Sequence, residues 1–185
     1  MPLIILLSRT FDSLKAFFKP IVYSISIYVE VEGQEQPINN SDVKVNNLKN
    51  VTAKTTYIRS NETFSIPDVD GFGYTFLGWK QTSLNGVTFN STINYGSFGD
   101  VKLVAELDAN IYHVSYKTRN VQEQFINGFS LKSKVSSYNI RNDFELDNPL
   151  CPGYTFDHWE DEAGNNLGKT YTIQKGAKAS DVTYY

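Results

Sequence analysis

Residues Tyr23 to Glu32 alternate without a break: Ile25, Ile27, Val29 and Val31 fall on one face, Ser24, Ser26, Tyr28 and Glu30 on the other. A period of two predicts a strand with one buried face. Upstream the period changes. Phe11, Leu14, Phe17 and Phe18 recur at three- and four-residue spacings among Asp12, Lys15 and Lys19. That spacing predicts a short amphipathic helix from Ser8 to Lys19, ended by Pro20. Gly33 to Asp42 is polar and holds Pro37 and Asn39-Asn40, which predicts a loop. Val43 to Ile58 is sparse in apolar positions and leaves two readings open, further strand or a poorly formed helix.

Self-similarity organises the rest. Gly73-Tyr74-Thr75-Phe76-Leu77-Gly78-Trp79 recurs eighty residues on as Gly153-Tyr154-Thr155-Phe156-Asp157-His158-Trp159. The same offset pairs Phe64 with Phe144, Ile66 with Leu146, Ile93 with Ile173 and Gly96 with Gly176. After one inserted residue Asp100-Val101 pairs with Asp181-Val182, and Tyr112, Val114 and Tyr116 echo the opening strand. So many identities in one register predict a duplicated unit. The division expected is an N-terminal arm (1–22), a first repeat domain (23–108) and a second (109–185).

Within the motif, Gly73 and Gly153 suit a turn that a side chain would hinder. Tyr74 and Phe76, like Tyr154 and Phe156, should share one strand face. Trp79 and Trp159 break the alternation, which predicts a bulge that brings each indole back over the core. In so small a unit these aromatics should supply much of the buried area and act as core anchors. The composition agrees: 14% aromatic residues, rich in Tyr and Phe, favour a mainly β or α+β chain.

The second copy also resembles a known family. Asn148-Pro149-Leu150-Cys151-Pro152-Gly153-Tyr154-Thr155-Phe156-Asp157-His158-Trp159, with the closing strand Asp181-Val182-Thr183-Tyr184-Tyr185, is similar to the Listeria–Bacteroides repeat of internalin-like bacterial surface proteins. The resemblance covers Phe64–Leu107 and Phe144–Tyr185. It implies two tandem small β-grasp-like domains, used as spacers or adhesive units, with no catalytic residues. His158 departs from the pattern where Gly78 keeps it, and the N-terminal arm lies outside it.

Charge and chemistry narrow the function. A net charge of −3 with thinly spread cations excludes an ordinary nucleic-acid binder. The single Cys151 allows no internal disulfide, and its place before Pro152 reads as a small packed thiol rather than a nucleophile. His113 and His158 lack a partner at zinc-ligand spacing, and the acids around Trp159 lack calcium-loop spacing. No cofactor, metal or catalytic set is expected. The apolar run Pro2–Leu7 is too short to span a bilayer and lacks the flanks of a secretory signal.

The expectation is therefore a non-enzymatic structural protein with protein partners, part of a multimeric assembly displayed outside the cell. An accessory decoration or fibre-like component of a phage-like particle is favoured over a fragment of a bacterial cell-surface adhesin. Two surfaces are expected to meet partners. One is the arm, through Leu6, Leu7, Phe11, Leu14, Phe17 and Phe18, either docking or lidding the first repeat. The other is the last strand, through Tyr184 and Tyr185, which stops about three residues short of its counterpart and should leave an exposed sheet edge.

Overall fold

The computed structural model describes residues 15–59, 63–83, 91–119 and 136–185. In the N-terminal half the elements are β1 (Val22–Val31), β2 (Gln34–Pro37), the one-turn helix α1 (Leu48–Val51), β3 (Thr56–Ile58), β4 (Phe64–Ser65), β5 (Tyr74–Ser83), β6 (Thr92–Ile93) and β7 (Val101–Ala109). The C-terminal half holds β8 (Tyr112–Tyr116), β9 (Ser136–Tyr138), β10 (Phe144–Glu145), β11 (Trp159–Glu160), β12 (Asn166–Gly168), β13 (Thr172–Ile173) and β14 (Val182–Tyr184). The chain is mainly β.

β1 forms because its alternation is satisfied on both counts. Ile25, Ile27 and Val29 are buried, and the strand lies parallel to β7, with Ile25 opposite Val101 and Glu30 opposite Glu106. β7 is central, so Leu103, Val104 and Ala105 are all fully buried. On its other side β5 runs antiparallel, giving the order β2-β1-β7-β5. The sheet thus has a central parallel pair flanked by antiparallel strands, with a helical turn in the crossover.

Two readings are corrected here. The polar stretch after Gly33 is not all loop. Glu32 and Gly33 have φ of 53° and 75°, the paired positive values of a two-residue hairpin turn, and β2 folds back on β1. An edge strand needs backbone hydrogen bonds more than apolar side chains, so Gln34–Pro37 gave no alternation to read. The arm also differs. Residues 15–21 have no regular structure, Phe17 and Phe18 are 90% and 92% exposed, and the start of the expected helix, with Phe11 and Leu14, lies outside the described residues, as do Leu6 and Leu7 before it.

Several contacts of the N-terminal half recur in the C-terminal half. β14 lies parallel to β8 as β7 does to β1. Phe144 pairs with Ile173 as Phe64 pairs with Ile93. The hydroxyl of Tyr138 donates to the Ser180 carbonyl at 2.6 Å, as that of Tyr57 donates to Gly99 at 2.5 Å. Asp181 accepts from the His113 amide at 2.8 Å, as Asp100 accepts from Ser24 at 2.7 Å. Each half has its own buried cluster, one around Ile27, Val29 and Leu103, the other around Val114, Trp159 and Tyr184.

A third set of contacts joins the halves. Ile140 is 5% exposed yet belongs to neither cluster. It rests against Gly73, where a Cβ would stand 2.7 Å from the Ile140 Cδ1. The neighbouring Arg141 donates to the Leu107 carbonyl at 3.4 Å, lies 3.6 Å from Glu32 and covers the Tyr74 ring at 5.7 Å. Lys44 reaches the Gly176 carbonyl at 2.9 Å.

Candidate functional site

The motif glycines take the turn conformation their sequence suggests, φ +78° at Gly73 and +82° at Gly153. Beyond Gly73 the register of β5 slips between Phe76 and Gly78, which throws Leu77 outward to 65% exposure. That bulge sets Trp79 on the side of Phe76, with ring centroids 5.5 Å apart. Phe156 and Trp159 meet in the same way at 5.2 Å. The two indoles differ in depth, however. Trp159 is 1% exposed, whereas Trp79 is only partly buried. Tyr74 is likewise partly buried, and Tyr154 is 62% exposed rather than sharing a buried face with Phe156. Residues 154–158 belong to no strand, so the alternation that would turn Tyr154 inward is not imposed there.

Tyr184 also departs from expectation. It is 1% exposed and packs in the C-terminal cluster, because β14 pairs with β8 and places Tyr184 beside Tyr116. Burial raises the pKa of its hydroxyl. Tyr184 is a core residue and not a docking surface. Tyr185 is half-buried and exchanges both backbone hydrogen bonds with Glu160, at 2.8 and 2.9 Å.

Beside Tyr185 lies a cleft of about 320 Å³. Lys117 and Arg119, which continue from β8, form one wall; Tyr154, Phe156 and His158 form the other. The Arg119 Nε lies 2.7 Å from the Glu160 carboxylate, and its guanidinium stacks on the Tyr185 ring at 4.1 Å. The Lys117 ammonium stands 5.5 Å from that same ring. The reading of the sequence singled out neither Lys117 nor Arg119 as a site residue, and weighed Glu160 only among the acids around Trp159. The available signal was a reversal of sign within the repeat, Glu30 and Lys80 of the first half becoming Arg119 and Glu160 in the second.

His158 bridges two carboxylates, Nδ1 to Asp157 at 2.8 Å and Nε2 to Glu160 at 3.3 Å. The bond to Asp157 foremost, then that to Glu160, holds its pKa above the ordinary 6.5. A raised folded-state pKa means this contribution to stability is complete below the unfolded value and lost as pH rises through the folded one. Stability should therefore decline across the window that begins near neutrality, and His158→Gln should flatten the decline. Denaturation midpoints at pH 6, 7 and 8 test this; parallel curves for the two proteins would count against it.

The cleft presents aromatic faces and an ion-paired rim. Among the described residues no group of three or more His, Cys, Asp or Glu could hold a metal ion, and no helix is long and apolar enough to cross a membrane.

Part of the chain has a counterpart among known families. Residues 38–106 match the Listeria-Bacteroides repeat domain. The match spans the N-terminal half from the turn after β2 to the middle of β7, and leaves β1 and the C-terminal half outside it. The Listeria-Bacteroides repeat is of a kind found in surface proteins and is generally non-catalytic. No curated protein and no solved structure matches the chain.

Proposed function

We propose that this chain is a non-enzymatic spacer and interaction module of a surface-displayed assembly, in which two β-rich domains (23–108 and 109–185) are fixed against each other. The seam between the halves carries this reading. A flexible pair of beads would leave a joint of exposed polar linker. Here Ile140 is buried against Gly73, and the side chain of Arg141 is only 19% exposed beside Leu107, Asp108 and Tyr74. Such a joint holds a fixed spacing and orientation, which is what a stalk or decoration protein must supply.

The double variant Ile140→Ala/Arg141→Ala should free the halves while leaving both buried clusters intact. Small-angle scattering should show one rigid envelope for the natural sequence and a broadened distribution of distances for the variant. Truncating the isoleucine alone should cost about 2–4 kcal/mol. If the natural sequence already scatters as two uncorrelated bodies, the rigid spacer is wrong.

For the place of display we carry forward the phage-like particle. Phe17 and Phe18 support attachment through the arm, since apolar side chains so exposed favour cover by a partner. Immunogold labelling of particles agrees with that reading, and labelling confined to bacterial cell walls replaces it with the adhesin.

A further inference from the structure

One turn keeps the same backbone bonds in both halves and displays different side chains in each. In the N-terminal half it follows β6. The Tyr95 amide donates to the Thr63 hydroxyl at 3.1 Å, the Gly96 amide to the Arg59 carbonyl at 3.1 Å and the Ser97 amide to the Asn94 carbonyl at 3.1 Å, while the Tyr57 hydroxyl holds Gly99. The C-terminal half makes the matching bonds: Lys175 to the Asp143 carboxylate at 2.6 Å, Gly176 to Ile140 at 2.9 Å, Ala177 to Gln174 at 3.0 Å, and Tyr138 to Ser180. Gly96 and Gly176 turn the chain with φ of +87° and +72°. The backbone is therefore fixed in either copy, and the fold leaves the side chains of the turn free to differ.

They do differ in chemistry. Where the C-terminal half has Ile140, Lys175 and Lys178, the N-terminal half has Arg59, Tyr95 and Phe98. Ile140 is the apolar knob of the seam, pressed against Gly73. Arg59 is exposed and in no ion pair among the described residues. Its guanidinium lies over the Phe98 ring, 5.1 Å from the centroid. Tyr95 is 71% exposed and Phe98 45%. Asp100, the one carboxylate between Ser91 and Asp100, is engaged by the Ser24 amide at 2.7 Å. A second seam would keep the knob. A free guanidinium braced on one ring, next to a second exposed ring, suits instead a ligand with an anionic group and an apolar face.

We propose that Arg59, Tyr95 and Phe98 form a binding site for acidic saccharides, with a uronic or sialic acid as the residue recognised. The planar guanidinium takes the sugar carboxylate through paired N–H donors. Phe98 holds the guanidinium in place by the cation–π contact already present. Tyr95 offers the negative face of its ring to the C–H side of a pyranose. Because the turn is tied down before any ligand arrives, little backbone freedom is lost on binding. The seam lies at the far end of β7 from this turn, so binding asks nothing of the joint between the halves.

Titration of the full chain with tetragalacturonate and with sialyllactose, followed by amide NMR, tests the site. Expected is saturable binding of at least one sugar with a Kd under about 1 mM. Shifts should centre on Arg59 and residues 94–99, and methyl esterification of the carboxylates should weaken binding at least about tenfold. Arg59→Gln should reproduce the loss seen with the ester. Tyr95→Ala should weaken binding by a similar factor, and Tyr95→Phe, which keeps the ring, should not. Both side chains are exposed, so unchanged denaturation midpoints separate lost recognition from a damaged fold. Absence of saturable binding by both sugars up to about 10 mM overturns the proposal. So do equal affinities for acid and ester, or shifts centred elsewhere on the chain. An oligoglutamate peptide that binds as tightly as the sugars also overturns it, because the turn then reads acidic protein.

Discussion

Replacing Trp159 with alanine should destabilise the protein by about 3–5 kcal/mol, the range for truncating a large aromatic buried in a core. The indole is 1% exposed and packs on Tyr116 and Phe156, with centroids at 5.3 and 5.2 Å. Trp79→Ala should cost less, about 1–3 kcal/mol, because its ring is only partly covered. Trp159→Phe separates packing from polarity. The buried Nε1 of Trp159 has no hydrogen-bond partner, so removing it relieves an unsatisfied donor while much of the ring remains. Chemical denaturation measures all three. Equal losses at Trp79 and Trp159 would contradict the difference in depth.

The second large effect distinguishes two residues that the sequence presents as equivalent. Gly73 and Gly153 open the same motif with φ of +78° and +82°, so alanine at either should cost about 1–2 kcal/mol of backbone strain. Around Gly153 nothing lies within 4 Å of an added Cβ, and the cost should stop there. At Gly73 the Cβ would stand 2.7 Å from the Ile140 Cδ1 and 3.1 Å from its Cβ, so the seam must shift as well. Overpacking of that kind adds about 1–3 kcal/mol. Gly73→Ala should therefore be the more damaging, and combining it with Ile140→Ala should recover part of the loss. Equal melting temperatures for the two glycine variants would show that the halves do not press on each other.

Legibility in the sequence followed the physics of each element. β1 declared itself because one of its faces is buried along most of its length and the other is wet. The bulge was visible because a tryptophan three places after a phenylalanine cannot keep period two. β2 was hidden, since an edge strand of Gln34–Pro37 is held by its turn and its ladder and carries no apolar code. Tyr184 was misread as an edge residue because its cover comes from β8, nearly seventy residues earlier. Its counterpart Leu103, fully buried in the first half, was the available clue. The side chains of Ile140 and Arg141 left no trace in the repeat, for they reach residues of the other half, while the Ile140 carbonyl accepts from Gly176 as that of Arg59 accepts from Gly96.

The parallel pairing of β1 with β7 also governs how this chain must come into being. The bond from the Ser24 amide to Asp100 joins residues 76 positions apart, so the central pair closes a long loop before it yields any contact energy. During synthesis β1 leaves the ribosome roughly 4–15 s ahead of that partner at ordinary elongation rates. For that interval Ile25, Ile27 and Val29 have first the hairpin with β2 and then the pairing with β3 to shelter the strand. The tight turn at Glu32-Gly33 thus acts as a guard for the nascent chain, shielding early what the finished sheet will later bury.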